Sequence, residues 1–298
     1  MEEASELVHR ITHGGKLPMM TSCSPGWIKF VEQMYPEFIG NLSTCKSPQQ
    51  MLGAIIKTYF AEKKGIDPDK IFSVSVMPCT AKKFEAERPE MARDGRPDID
   101  AVLTTRELAR MIRMRGVDLG ALTPDTADTP FGERSSAGKL FGATGGVMEA
   151  ALRTAYKMIT GHELPDLKVQ EVRGLKGIKE AHIDINGTMV GVAVASSLGN
   201  ARKLLEEIKA GRKDLHFIEV MTCPGGCIAG GGQPYNTDLT KVRARMRALY
   251  KIDRDDRVRT SHDNREIKRL YEEFLGAPLG EKSHHLLHTH YGAREVVK

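Results

Sequence analysis

Short β-rich apolar runs alternate with helical patterns along most of this chain, and that alternation restricts it to an α/β architecture with mainly parallel strands. Strands are predicted over residues 71–77, 99–103, 168–172, 189–195 and 217–221, with a weaker candidate at 17–21. Helices are predicted over 27–35, 48–64, 106–113, 146–160, 200–210 and 265–275. Ser47 followed by Pro48 reads as a helix start with proline at its first position. Thr104-Thr105-Arg106-Glu107 reads as a second N-terminal cap, and Ser261-His262 before Asp263-Asn264 as another capping arrangement. The polar stretch 118–136 is expected to be a surface connection, and no repeat with a period of about 20–50 residues is present.

A chain of 298 residues can bury a core for one large or two medium domains. Its 40% apolar and 28% charged composition is that of an ordinary soluble protein. The net charge of +5 is small, the two signs are mixed, and no basic run carries interleaved aromatics, which argues against a nucleic-acid partner. Lys241-Val-Arg-Ala-Arg-Met-Arg247 is read as a solvated helix face. No apolar run reaches the length of about 18 residues that a membrane span needs, and the start Met1-Glu2-Glu3 is acidic, unlike a signal peptide. No membrane association is expected, and a reducing cytoplasm is the expected location.

Four of the five cysteines fall in three stretches: Thr21-Ser22-Cys23-Ser24-Pro25-Gly26-Trp27, Met77-Pro78-Cys79-Thr80-Ala81-Lys82, and Met221-Thr222-Cys223-Pro224-Gly225-Gly226-Cys227 leading to Gly230-Gly231-Gly232-Gln233-Pro234. Disulfide frameworks belong to small, cysteine-dense secreted domains, whereas thiolates gathered from distant loops suit a soft metal or an iron–sulfur cluster. Two of these motifs follow strong strand candidates and Cys23 follows the weak one. In open α/β sheets ligands collect beyond the carboxyl ends of strands, so the three can share one crevice. Thiolates alone do not distinguish zinc from iron–sulfur.

Cys223 and Cys227 lie four apart, a spacing that on a helical turn would aim both sulfurs the same way, with Gly225 and Gly226 offering N–H groups to cluster sulfides. Cys79 precedes a helix-like start, and Lys82 would stabilise its thiolate or hold an anionic diatomic ligand on a metal. Cys23 is either a ligand or a thiol that carries protons to a buried centre. Each of these has a plainer reading as a buried structural thiol, and for Cys45 that reading is preferred. Gly142-Ala-Thr-Gly-Gly-Val147 resembles a phosphate cradle, but no Gly-Lys-Ser/Thr follows, so close packing against a cofactor is expected instead. His284, His285, His288 and His290 are assigned surface or helix-end roles.

The three cysteine stretches resemble the signature motifs of the iron-only (FeFe) hydrogenases. Ser47-Pro48-Gln49-Gln50, the segment from Arg96 to Glu107, Phe141 to Ala151 and Val172 to Glu180 are similar to the family's large-subunit domain. Arg259-Thr-Ser-His262 and His285-Leu-Leu-His-Thr-His-Tyr291 are similar to its small-subunit-like segment. The resemblance implies two α/β lobes around an H-cluster at their junction, with a helical C-terminal extension: a catalytic domain over 1–238 and the small-subunit-like segment over 239–298. The H-cluster of the family is a 4Fe–4S cubane joined through a cysteine to a diiron centre with carbonyl, cyanide and a bridging dithiolate.

By position, Cys79, Cys223 and Cys227 match cubane ligands, and Cys227 matches the shared cysteine. Lys82 matches the lysine facing a cyanide, and Met77, Met221 and Phe141 match the apolar pocket walls; Gln49 and Ser24 are counted with the cofactor-binding residues. Cys23 matches the proton-passing thiol, and Glu3, Glu6, Ser43 and Arg10 fall on the path to solvent, a chain of groups able to accept and donate protons. The implied reaction is reversible reduction of protons to dihydrogen in an anaerobic metabolism. Electrons would come from ferredoxin or NAD(P)-linked diaphorase-type subunits.

Two departures stand out. The family's first motif carries adjacent cysteines, and here the second is Ser24, so Cys23 takes the ligand role, Ser24 Oγ ligates iron, or the cubane is compromised. The start of the chain resembles an internal stretch of the catalytic domain, and no ferredoxin-type cysteine signature is present, so a partner chain is expected to supply both missing parts unless this is a fragment. An iron–sulfur scaffold, electron carrier or hydrogen sensor built on the same domain is the alternative.

Overall fold

The computed structural model of the protein describes residues 1–296. Helix α1 (Glu2–His13) leads to a two-residue strand β1 (Met19–Met20) and then to α2 (Pro25–Met34). Helix α3 (Pro48–Ile55) starts as expected, with Pro48 in its first turn and Ser47 Oγ accepting the Gln50 N–H, and runs through a wide turn (Ile56–Phe60) into α4 (Ala61–Lys64). Strand β2 (Val74–Met77) precedes α5 (Ala81–Ala86), a small antiparallel pair β3 (Ala92–Arg93) and β4 (Arg96–Pro97), and β5 (Ala101–Thr104). Helix α6 (Thr105–Met114) opens with a full Thr104/Glu107 capping box. An exposed stretch over 118–130 and a partly buried one from Phe131 to Ser135 then lead to α7 (Ser136–Leu140), whose Ser136 is buried, and α8 (Gly146–Thr160).

The second half supplies β6 (Ile178–Ile185), β7 (Thr188–Ser196), α9 (Leu198–Lys209) and β8 (Leu215–Met221). The main sheet has the order β1-β8-β7-β6, parallel across its first three strands and antiparallel at β6–β7. Residues 168–172, read as a strand, instead end in a short turn, Gln170–Val172. The strand lies further on: Ile185 pairs with Thr188 across Asn186-Gly187, both at positive φ (55° and 79°). That is the geometry of a two-residue hairpin, which favours Asn-Gly because its twist matches that of the strands.

Alternation along the central strands divides the core into two layers. Val192, Val194 and Phe217 face Ala4 and Leu7 of α1 and Met148 and Leu152 of α8. Ala193, Ala195, Ile218 and Val220 face Trp27, Ile28 and Val31 of α2 and Leu204 and Leu205 of α9. A sheet covered by helices on both faces explains why these strands are almost continuously apolar. The smaller lobe is built on β2 and β5, paired in parallel, and Val74 and Val76 are left half-exposed on it (50% and 45%).

The C-terminal part is helical: α10 (Leu239–Asp255), α11 (Arg265–Leu270) continued by a wide turn (Tyr271–Leu275), and α12 (Glu281–Leu287). The basic run at 241–247 lies on α10 with Lys241, Arg243 and Arg247 exposed, while Val242 and Met246 are buried. A buried charge cluster ties this part to the main lobe. Arg153 of α8 is fully buried, bonded to Glu149 at 2.5 Å and to Asp253 of α10 at 2.8 Å, and Arg173 and Arg259 complete the cluster. Among the described residues, no helix is long and apolar enough to cross a membrane.

Candidate metal centre

The three cysteine loops interlock at the carboxyl ends of β1, β2 and β8. The loop after β8 lies over the one after β2: the Gly232 N–H donates to Pro78 O at 3.0 Å, and the Gly232 carbonyl accepts the Arg106 N–H at 3.1 Å. A Cβ at Gly230 would collide with Pro78 O, so only glycine allows this approach. The loop after β1 joins through Ser24, whose Oγ lies 2.8 Å from Thr222 Oγ1. The Lys82 ammonium donates to Cys23 O at 3.0 Å and to the Glu85 carboxylate at 2.9 Å.

Cys79, Cys223 and Cys227 lie on these loops, within electrostatic reach of one another. Burial pushes the Cys227 thiol up to about 11, with the Cys79 and Cys223 sulfurs adding to the effect and Lys82 opposing it. Burial likewise raises Cys223, which Gly231 N–H partly offsets. The three sulfurs do not all lie within 4.8 Å of one another, whereas about 3.8 Å would separate ligands of one tetrahedral zinc with Zn–S bonds of about 2.3 Å. The sulfurs as placed are wider apart than a single zinc needs, and metal loading of these thiols would release their protons.

Two local expectations are corrected. Cys223 and Cys227 do not share a helical turn; Cys227 instead opens a short turn, Cys227–Ala229, after a Gly-Gly bend. The Gly225 and Gly226 N–H groups are not free for sulfides, since they donate to Ser196 Oγ and Cys223 O, both at 2.9 Å. The amide facing Cys223 is that of Gly231.

Met77 and Met221 close β2 and β8, and Phe141 follows α7 directly before Gly142, whose carbonyl accepts the Ile228 N–H at 3.0 Å. Gln49 is buried under Lys82, bonded to Lys82 O and Glu85 (both 3.3 Å) and accepting from Ser75 at 2.7 Å. Glu85, not singled out from sequence, is the hub here: it holds Lys82 and also accepts from Ser47 at 2.7 Å. Its signal was the i,i+3 spacing from Lys82 at the start of a helix.

Glu219 was missed as well. Its fully buried carboxylate accepts the Gly145 N–H (2.6 Å) and the Met148 N–H (2.7 Å) at the start of α8. The glycine-rich stretch 142–147 thus cradles an internal carboxyl group at a helix N-terminus, the place where a phosphate would otherwise bind, and burial raises its pKa above the usual carboxylate range.

Of the residues expected on the path to solvent, Ser43, Glu6 and Arg10 are joined by hydrogen bonds. Ser43 Oγ donates to Glu6 at 2.7 Å, and Arg10 donates to Glu6 at 2.6 Å and to the carbonyls of Lys16 and Leu42. Cys23 is a thiol raised well above its usual range by burial, then by the Glu3 charge. Among the described residues the Glu3 carboxyl makes no side-chain hydrogen bond to Ser43 or Cys23, although Cys23 and Glu6 both lie within its electrostatic reach. Burial, then the Glu6 charge, raises Glu3 from 4.5 to about 8.

The neutral form of Glu3 is therefore favoured in the fold. Its stabilising effect is complete below pH 4.5 and is lost as pH rises through about 8. A carboxylic-acid infrared band is expected at pH 7, titrating away near pH 8 and missing in Glu3→Gln. The same band surviving in that variant would assign it elsewhere.

Cys45 is buried, as expected of a structural thiol, with its Sγ 3.8 Å from Glu6. His288 is not a surface residue: it is 5% exposed at the end of α12, bonded to Thr44 Oγ1 at 2.7 Å and Glu2 at 3.1 Å.

Comparison with known proteins gives a consistent result. Residues 1–231 match the family model for the iron only hydrogenase large subunit, C-terminal domain, and residues 239–294 match that for the iron hydrogenase small subunit. The NADP-reducing hydrogenase subunit HndD of Solidesulfovibrio fructosivorans is 48% identical over 302 residues, covering 99% of this chain and 52% of that protein. The chain thus spans about half the length of that relative. Cytosolic iron-sulfur assembly component 3 of Rattus norvegicus is 34% identical, covering 100% of this chain and 64% of its own. Among solved structures, the HydA(deltaEFG) FeFe-hydrogenase superposes with a TM-score of 0.87 at 46% identity, covering 99% of this chain and 82% of that one. With a family match over residues 1–231 of 298, the chain belongs to the iron-only hydrogenase large-subunit family.

Proposed function

We propose that this chain is the catalytic part of an FeFe hydrogenase, reversibly reducing protons to dihydrogen. The observation that carries this reading is the interlocking of the loops that bear Cys23, Cys79 and the Cys223/Cys227 pair at the carboxyl ends of three strands, with Lys82 bonded to the Cys23 carbonyl. In this reading the three cysteines hold a 4Fe–4S cubane, with Cys227 shared with a diiron centre, and the H-cluster supplies the redox chemistry on hydrogen. Met77, Met221 and Phe141 keep water from the diiron side, and Gln49 and Glu85 fix the position of Lys82. Cys23 holds and moves the proton at the centre; Glu3, Ser43, Glu6 and Arg10 exchange it with solvent.

Residues 1–238 would form the catalytic domain and 239–298 a small-subunit-like clamp. Ferredoxin or NAD(P)-linked diaphorase-type subunits would deliver electrons, in keeping with the HndD relative being a subunit. A second reading, an iron–sulfur scaffold, electron carrier or hydrogen sensor, draws on the likeness to an iron–sulfur assembly component and on Ser24.

The two readings separate after anaerobic maturation of the chain. Carbonyl and cyanide infrared bands accompanied by hydrogen evolution support the enzyme. Bands without fast turnover point to the sensor. A cubane without those bands supports the scaffold or carrier and removes the enzyme reading.

A further inference from the structure

We propose that Ser24 Oγ, gripped by Thr222, is the fourth protein ligand of the cluster held by Cys79, Cys223 and Cys227. This rests on the cluster reading above and concerns only its fourth corner. A 4Fe–4S cubane takes four protein ligands, and the crevice offers three clustered thiols. Of the other two cysteines, Cys45 lies against Glu6 and His288, while Cys23 lies within electrostatic reach of both Glu3 and Cys227 and is the rival for this corner that the Cys23→Ala arm of the test addresses.

Ser24 occupies the N-cap position of α2, where a serine hydroxyl ordinarily accepts a backbone N–H of the first turn. Here it makes no such bond; the Trp27 and Ile28 N–H groups go to the Ser24 carbonyl instead, at 3.0 and 3.1 Å. The hydroxyl is turned to the residue before Cys223. Its oxygen lies 2.8 Å from Thr222 Oγ1 and accepts the Thr222 N–H at 3.4 Å.

With the Thr222 hydroxyl as donor, both Thr222 donors converge on Ser24 Oγ. That is the environment of an oxygen meant to carry negative charge, since hydrogen bonds to an anionic acceptor are stronger than neutral ones. Lys82, bound to the adjoining Cys23 carbonyl, adds a positive charge nearby. On loading, the Ser24 O–H bond breaks, an Fe–O bond forms, and the proton passes to water. One iron then carries a hard oxygen ligand and three carry sulfur. Thr222 is a positioning residue that holds the oxygen in place.

The test uses the full chain reconstituted with ⁵⁷Fe and sulfide and read by Mössbauer and EPR spectroscopy, independent of turnover. The wild type is expected to show one iron distinct from the other three, and Ser24→Cys to abolish that difference and raise the cluster's midpoint potential. In Ser24→Ala, ferricyanide is expected to take one electron as one Fe²⁺ leaves, producing a three-iron EPR signal under conditions that leave the wild type intact. Thr222→Val should retain four irons but lose the distinct one about tenfold faster on oxidation, as expected for losing a hydrogen bond to a charged acceptor. A Ser24→Ala spectrum identical to wild type overturns the proposal while sparing the cluster reading, as does transfer of the distinct-iron signature to dependence on Cys23 in Cys23→Ala. A wild type that takes up no four-iron cluster overturns both.

Discussion

Replacing Cys227 with alanine is expected to leave the reconstituted chain without a stable four-iron cluster and without hydrogen turnover. Three clustered thiols already fall one short of the usual four, and losing one more leaves too few donors for a cubane. Two companion variants make the result specific. Cys45→Ala is expected to retain full iron and sulfide content, because its thiol is buried beside Glu6 and outside the crevice. Cys23→Ala is expected to keep the cluster but lower turnover by about 10²–10⁴-fold, the usual worth of a positioned acid–base group. Iron and sulfide analysis with EPR separates the three. Full iron content in Cys227→Ala would show that the cluster, if any, lies elsewhere.

Asp253→Ala is expected to destabilise the protein by about 3–5 kcal/mol, the cost of breaking a buried ion pair from one side. Arg153, whose two terminal guanidinium nitrogens each donate to it at 2.8 Å, is fully buried and cannot turn to water. Glu149 would be left facing two buried arginines, Arg153 and Arg173. Burial opposes ionisation of Asp253, but the hydrogen bonds from Arg153, Ser136 and Arg259 prevail and hold its carboxyl far below the usual range. A depressed carboxylate contributes stability above its ordinary value of 3.8 and loses it as pH falls through the folded value, so the full contribution is present at pH 7. Thermal unfolding at pH 7 should show a drop of about 10 °C. A loss below about 1 kcal/mol would mean that the arginines reach solvent and that α10 is not clamped through this cluster.

Most helices and the central strands could be read from periodicity, because the main sheet is buried on both faces and its strands are nearly all apolar. The reading failed at 168–172, where Lys-Val-Gln-Glu-Val, too short to show a period, proved to end in a turn. The strand β6 it displaced alternates charged and apolar residues at an edge and is fixed by the Asn186-Gly187 turn.

From sequence alone came the α/β class, the helix start at Pro48, the cap within Thr104–Glu107, and the cysteine stretches with Lys82, since each is written in local spacing and turn chemistry. Tertiary structure alone decided that the Gly142–147 cradle is filled by Glu219, that Glu85 anchors Lys82, that His288 is buried, and that the Ser24 hydroxyl leaves its own helix for Thr222. The reason is physical. A local pattern reports which groups need partners, but the partner of a buried polar group is set by whichever distant element the packing brings within about 3 Å.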